Sequence, residues 1–125
     1  MDVFENERGT FIFNSKDLCT IRHIPELVQS GIASLKIEGR VKTSYYVATV
    51  VGAYRREIDR YCADPENYVF NEAEYEELCK VSHRPYTTGF YFGKPDENSQ
   101  VYTSSSYIRD YDLIGIVKDY DEKTG

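Results

Sequence analysis

Tryptophan is absent from this sequence, histidine occurs twice and cysteine three times. Cys19, Cys62 and Cys79 are widely separated and no two form a C-x-x-C pair, which excludes a disulfide framework and a self-contained zinc site. Each thiol is therefore expected to be reduced and fairly buried. With His23 and His83 as the only imidazoles, there is no H-E-x-x-H zinc signature, and no Ser or Cys nucleophile can be assigned a histidine base. His23, just before a predicted helix, reads as a surface or capping residue. Long apolar runs are lacking too: nothing approaches the roughly 20 residues that cross a bilayer. The start, Met1–Gly9, is charged where a secretory signal would be apolar. A soluble, cytoplasmic protein without membrane contact is expected. Internal repeats and low-complexity tracts are also absent.

Concentrated positive charge is the remaining absence. The net charge is −6, and it is unevenly spread: residues 1–60 carry nine Lys/Arg against eight Asp/Glu, residues 61–125 six against thirteen. The balances are +1 and −7. A protein that grips RNA through its phosphates needs a basic surface, so any RNA contact is expected from the first half or from parts outside this sequence. What the chain does have is size and rings. Its 125 residues are 41% hydrophobic, enough for one modest core, and include twelve Tyr and six Phe. Tyrosine suits half-buried surfaces, since the ring packs while the hydroxyl hydrogen-bonds.

Residues 10–14, Thr-Phe-Ile-Phe-Asn, read as a short strand ended by the turn formers Asn14 and Ser15. A helix follows near Pro25–Ser30, with proline in its first turn and Gly31 where a C-terminal cap belongs. Ala33, Leu35 and Ile37 alternate with Ser34 and Lys36 as a strand would. Val47, Val50, Val51, Tyr54, Ile58 and Tyr61 then recur at helical spacing from Ser44 to Tyr61, with Arg55, Arg56, Glu57 and Asp59 largely off that face and Thr43 or Ser44 as cap. A second long helix is predicted from Asn71 to Lys80, its early glutamates favoured by the helix dipole. Beyond His83, residues 86–92, 100–103 and 112–117 look extended, with a loop at 93–98. The order β-α-β-α-α followed by short β pieces is α/β. Two parallel strands need neighbours on both edges and cover on both faces, so part of a larger unit is expected.

In α/β sheets and barrels, functional groups gather at the C-terminal ends of strands. Those ends here are Asn14-Ser15-Lys16-Asp17-Leu18-Cys19 and Lys36-Ile37-Glu38-Gly39-Arg40-Val41-Lys42. Glu38 and Arg40 can form a strand-end ion pair or bind a polar substrate, and Ser15 or Asp17 can simply cap a helix. For RNA, Lys16, Lys36, Arg40, Lys42, Arg55 and Arg56 offer phosphate contacts with Tyr45 and Tyr46 nearby for stacking, or the two tyrosines merely pack the helix start.

Phe13–Cys19, Leu35–Arg40, Tyr45–Val51 and His83–Gly93 together resemble the collagenase-like protease family, peptidase family U32, and most nearly its branch involved in tRNA hydroxylation. The resemblance runs over roughly residues 7–93 and weakens afterwards. It implies that residues 1–93 are the C-terminal part of a TIM-barrel-like catalytic domain, whose other units lie upstream, and that residues 94–125 are a linker and the start of a small β domain. It implies an iron–sulfur cluster in the intact protein with Cys19 at the position of the last of four ligands. One thiolate cannot hold such a cluster, so none is expected on this segment alone. Cys62 and Cys79 are taken as structural. Lys36, Glu38 and Arg40 become candidates for catalysis, and Asn14, Lys16, Lys42, Tyr45 and His83 for substrate binding, His83 being otherwise a solvated loop residue. The implied activity is hydroxylation of a tRNA uridine in the anticodon loop, using a small-molecule oxygen source. A collagenase-like peptidase and a non-catalytic assembly segment are the alternatives; the isolated segment, with a truncated sheet edge and uncovered helix faces, is expected to be a homo-oligomer.

Overall fold

The computed structural model describes residues 4–6, 9–11, 15–94, 101 and 106–119. Strands β1 (Phe4–Asn6) and β2 (Gly9–Phe11) form an antiparallel hairpin with Phe4 opposite Phe11. Strand β3 (Asp17–Leu18) leads through a 3₁₀ turn (Ile21–His23) into helix α1 (Ile24–Gln29). Helices α2 (Ser44–Ala63) and α3 (Glu72–Lys80) follow, and β4 (Tyr86–Thr87) returns beside β3. The β3–β4 pair is parallel, Asp17 opposite Tyr86 and Leu18 opposite Thr87. Flanking amides extend it: Asp17 donates to the Pro85 carbonyl at 3.0 Å and Cys19 to that of Thr87 at 2.8 Å. A parallel pair cannot be joined by a tight turn, and here three helices make the crossover. The chain thus has α/β character.

Helix α2 is the spine. Ile21, Val50, Ala53, Leu78 and Val81 form one buried cluster and Ile24, Leu27 and Tyr61 a second, both against α2. Its first turn is closed by the Thr43 hydroxyl, which accepts from the Tyr46 amide at 3.1 Å. Asn71 does the same for α3, accepting from Ala73 at 3.2 Å. Arg56 and Glu74 lock the two helices with paired contacts of 2.8 and 2.6 Å, the fork-to-carboxylate geometry that makes such bonds strong. The buried side of α2 is rotated from the predicted stripe. Val47 and Val51 are exposed, whereas Glu57 is fully buried. Its carboxylate accepts from the Tyr68 hydroxyl at 2.7 Å, with Arg60 at 3.2 Å.

Two predicted strands are not strands. Leu35 and Ile37 turn towards the clusters and Ser34 and Lys36 outwards as the alternation predicts, but Ala33, at a bend, is exposed. Residues 33–37 have no ladder partner among the described residues. Residues 112–117 likewise pair with nothing described there, and the nearest pairing is a single bridge between His83 and Ile108. Of the predicted 86–92 strand only β4 pairs, because Gly89 at φ +59° turns the chain. Of 10–14, Thr10 and Phe11 lie in β2, and Ile12, Phe13 and Asn14 fall outside the described residues, as do 100 and 102–103.

Gly39 is required for a close approach. A Cβ there would sit 2.8 Å from Cγ2 of Val47, a side chain with a stiff χ1 in a helix. Gly39→Ala is expected to lower stability by about 1 kcal/mol, the low end for overpacking because Val47 is half-exposed. Urea unfolding should register the loss, and adding Val47→Ala should restore it; no recovery would mean the cost lies in the backbone.

Candidate functional site

Because β3 and β4 are parallel, their C-terminal ends open on the same side, and the residues that follow them meet there. Cys19 comes directly after β3; Thr87 and Thr88 stand at the end of β4. Together with Ile21, Arg22, His23, Tyr75 and Tyr86 they line a cavity of about 350 Å³. A thiol, a guanidinium, an imidazole and hydroxyls thus converge at one strand end, the place where α/β folds bind ligands.

Cys19 is half-buried, and that burial pushes its thiol pKa up, opposed by a backbone hydrogen bond from Ile21, the Tyr54 hydroxyl and the Arg22 charge. Tyr54 reaches in from α2. Its oxygen accepts from the Thr20 amide at 2.9 Å, and its hydroxyl points at Sγ of Cys19, 3.9 Å away. Burial, then Cys19, pushes the Tyr54 phenol up to about 12. Arg22 is held by Glu72 at 2.6 Å and lies 3.8 Å over the Tyr75 ring. His23 sits at the N-cap of α1 without a capping bond; its Nδ1 meets Glu26 at 3.3 Å, and its ring packs at a tilt against Phe92, centroids 4.0 Å apart. Cys79 is half-buried nearby, its pKa raised by burial and then by Cys19. Cys62 is exposed, contrary to the buried thiol expected, because the end of α2 runs past the core.

The other candidates are placed elsewhere. None of Lys36, Glu38 and Arg40 lines this cavity. All three are exposed, and Glu38 accepts from the Arg40 backbone amide at 2.7 Å, so the expected ion pair is a turn contact. That turn carries Val41 at φ +58°, a strained conformation for a β-branched residue. Lys42 donates to the Ser82 carbonyl at 2.9 Å and lies 3.7 Å over the Tyr107 ring, and with Tyr45 and Tyr46 it lines a separate cavity of about 350 Å³. Tyr45 and Tyr46 pack against the first cluster. His83 is buried rather than solvated: it stacks on Tyr86 at 4.3 Å, and its Nδ1 lies 2.6 Å from the Arg84 carbonyl. Arg55 is paired with Asp59 and Arg56 with Glu74, both guanidiniums staying more than half exposed. Lys16, Lys36 and Arg40 have no acidic partner among the described residues. Asn14 lies outside them.

A further cavity, about 400 Å³, lies where α1, the 32–37 segment and α2 meet, and is lined largely by apolar side chains such as Leu27, Ile32, Leu35 and Val51. It lacks the convergent polar groups of the Cys19 cavity. Sequence reasoning finds Cys19 but misses Arg22, which carries no signal, and Tyr54, Tyr75 and Tyr86, whose only signal is the excess of tyrosine.

The family model described as peptidase family U32 matches residues 2–101. The chain is 44% identical over 122 residues to tRNA hydroxylation protein P1 of Bacillus subtilis, covering 98% of this chain and 29% of that protein. It is 46% identical over 90 residues to tRNA hydroxylation protein P of Escherichia coli, 72% of this chain and 19% of that one. A collagenase of Porphyromonas gingivalis is 34% identical over 88 residues, 67% and 23% respectively. The chain therefore spans less than a third of each of these relatives. No solved structure matches it significantly.

Proposed function

The chain belongs to peptidase family U32, and from that membership we propose that the full-length protein takes part in hydroxylating a uridine of the tRNA anticodon loop, with Cys19 at the working end. The observation that carries this reading is the similarity over 98% of the chain to a relative named for tRNA hydroxylation. The Cys19 cavity, at the C-terminal ends of a parallel strand pair, supports it as a place for chemistry. The same pair, with helices between its strands, supports the finer reading that β3 and β4 belong to a TIM-type barrel. A tRNA substrate would place the protein in the cytoplasm; none of the described helices is long and apolar enough to cross a membrane.

An iron–sulfur cluster fits here as one ligand in four. Among the described residues no three His, Cys, Asp or Glu converge on a metal-sized site, so Cys19 would need three further ligands from elsewhere in the full-length protein. Burial disfavours the free Cys19 thiolate and the Arg22 charge opposes that only in part, so a bound cluster would itself have to displace the thiol proton. When bound, the cluster would supply electron transfer. Tyr54 holds the strand end around the sulfur, and Arg22 and the threonines present donors to whatever enters the cavity.

The peptidase reading rests on the collagenase relative and on one geometric fact, that Cys19 and His23 line the same cavity. Against it, the thiol pKa is raised rather than lowered, and the groups near Sγ include the Tyr54 hydroxyl while His23 is engaged by Glu26. A nucleophilic cysteine needs the opposite arrangement.

Nucleoside mass spectrometry of tRNA from cells lacking the full-length gene tests the proposal. Hydroxyuridine should disappear, return with the wild-type gene and stay absent with Cys19→Ala, whose purified product should also have lost its iron. Unchanged hydroxyuridine on deletion would sink the RNA reading and bring the peptidase forward.

A further inference from the structure

Just past β4 the chain puts three consecutive rings into water. Phe90, Tyr91 and Phe92 are 81%, 61% and 53% exposed. They ride on a turn fixed at both strands. The Tyr91 amide donates to the Thr88 carbonyl at 3.3 Å, and the Gly89 amide to Oγ1 of Thr87 at 3.2 Å. Gly89 combines φ +59° with a Cβ position only 3.1 Å from Cδ1 of Leu18 on β3, so a side chain there would disturb both the turn and its seat. At the far end the Phe92 ring rests on His23, a wall of the Cys19 cavity. Phe92 therefore stands next to that cavity, with Tyr91 and Phe90 before it on the same turn.

Their electrostatic setting differs from the surrounding sequence. From Leu78 to Pro95 there are eighteen residues without one Asp or Glu, bearing Lys80, Arg84 and Lys94, in a half-chain whose balance is −7. Lys80 is paired with Glu77. Exposed rings are poorly placed in water unless something covers them; with Glu26 holding His23 beneath Phe92, the rings offer their faces rather than a positive charge, which suits the flat π face of a base. Chemistry on a base also demands that the base leave its stack, and the neighbours it leaves need a new surface.

We propose that Phe90, Tyr91 and Phe92 form a stacking platform for unpaired RNA bases, holding the nucleotides beside the one that enters the Cys19 cavity. The proposal rests on the RNA reading above. Bases stack on aromatic faces with little regard for sequence, so the platform would position the loop while the cavity selects the base.

The test uses the full-length gene product and a hairpin RNA with an anticodon-sized loop carrying 2-aminopurine, whose fluorescence is quenched when it stacks. Wild type should bind and quench. Replacing all three rings by leucine keeps apolar bulk but removes the π faces; binding should weaken roughly 5- to 100-fold, the range for lost base–aromatic stacking, and the quench should vanish. Phe90→Trp should retain both. The exposed rings contribute little to the core, so thermal unfolding should barely move; if the triple variant does not fold, Phe90→Leu serves alone. Wild-type binding and quenching by the leucine variant would overturn the platform and leave the rings as apolar cover. If hydroxyuridine still depends on the gene, the RNA reading survives that result. If wild type neither binds the hairpin nor affects hydroxyuridine, both proposals fall.

Discussion

Leu78→Ala is expected to destabilise the chain by about 2–5 kcal/mol, the span for a large-to-small change at a fully buried site. Leu78 is 1% exposed and meets Ile21, Val50 and Ala53 in the first cluster. That cluster is small, so little material can collapse into the space. The loss should also be felt at the cavity, because the Leu78 carbonyl receives the Tyr86 hydroxyl at 2.8 Å. Tyr86 is both a cavity wall and a β4 residue, and it stacks on His83. Equilibrium urea unfolding measures the cost. A change under about 1 kcal/mol would mean that α3 packs far more loosely than a 1% exposed leucine implies.

Tyr54→Phe is the second large effect, about 1–3 kcal/mol, because it leaves a buried donor unsatisfied. Thr20 is 8% exposed, and its amide donates to the Tyr54 oxygen at 2.9 Å; the phenylalanine ring keeps the packing but offers no acceptor. The variant also has a pH signature. The Tyr54 phenol is raised from 10.0 to about 12, so the fold favours its protonated form. That contribution is complete below pH 10 and is lost as pH rises through about 12. Tyr68 and Tyr86, also raised by burial, act in the same direction. Wild type should therefore lose stability between pH 10 and 12 more steeply than Tyr54→Phe, although the variant starts lower at pH 8. Parallel curves would show that Tyr54 ionises freely in the folded state.

The helices can be read from the sequence because their signals are local. Thr43 and Asn71 cap as expected, Gly31 stands at φ +76° just past α1, and the α2 periodicity is the dominant pattern. Strands depend on partners. Of the inward set predicted for residues 33–37, Leu35 and Ile37 do pack against the clusters while Ala33 is exposed, and a ladder needs a neighbour that periodicity cannot supply. Glu57 escapes the pattern for a related reason: its burial depends on Tyr68, eleven positions away on the loop before α3. The site follows the same rule. Cys19 is found through the blocks that resemble the family, while Tyr54 reaches its sulfur from the middle of α2 and Tyr86 lines the cavity from β4. The ion pairs of Arg55 and Arg56 depend on neighbours: Asp59 one turn on, and Glu74 on another helix. The aromatic turn is visible as letters, but its exposure and its place beside His23 are not.

The parallel strand pair also sets the order in which this fold can assemble. Asp17 meets the Arg84 amide across 67 positions of chain, whereas the caps and the first turns of α2 and α3 close over two or three. Joining the ends of so long a loop costs entropy before any contact is gained, and such pairings form slowly. The Cys19 cavity has no existence until that closure happens, since one wall comes from each side of it. Local helices can exist without the site, but the site cannot exist without the whole crossover. A ligand or cluster that grips both walls would therefore act as a late staple, rewarding only chains that have completed their topology.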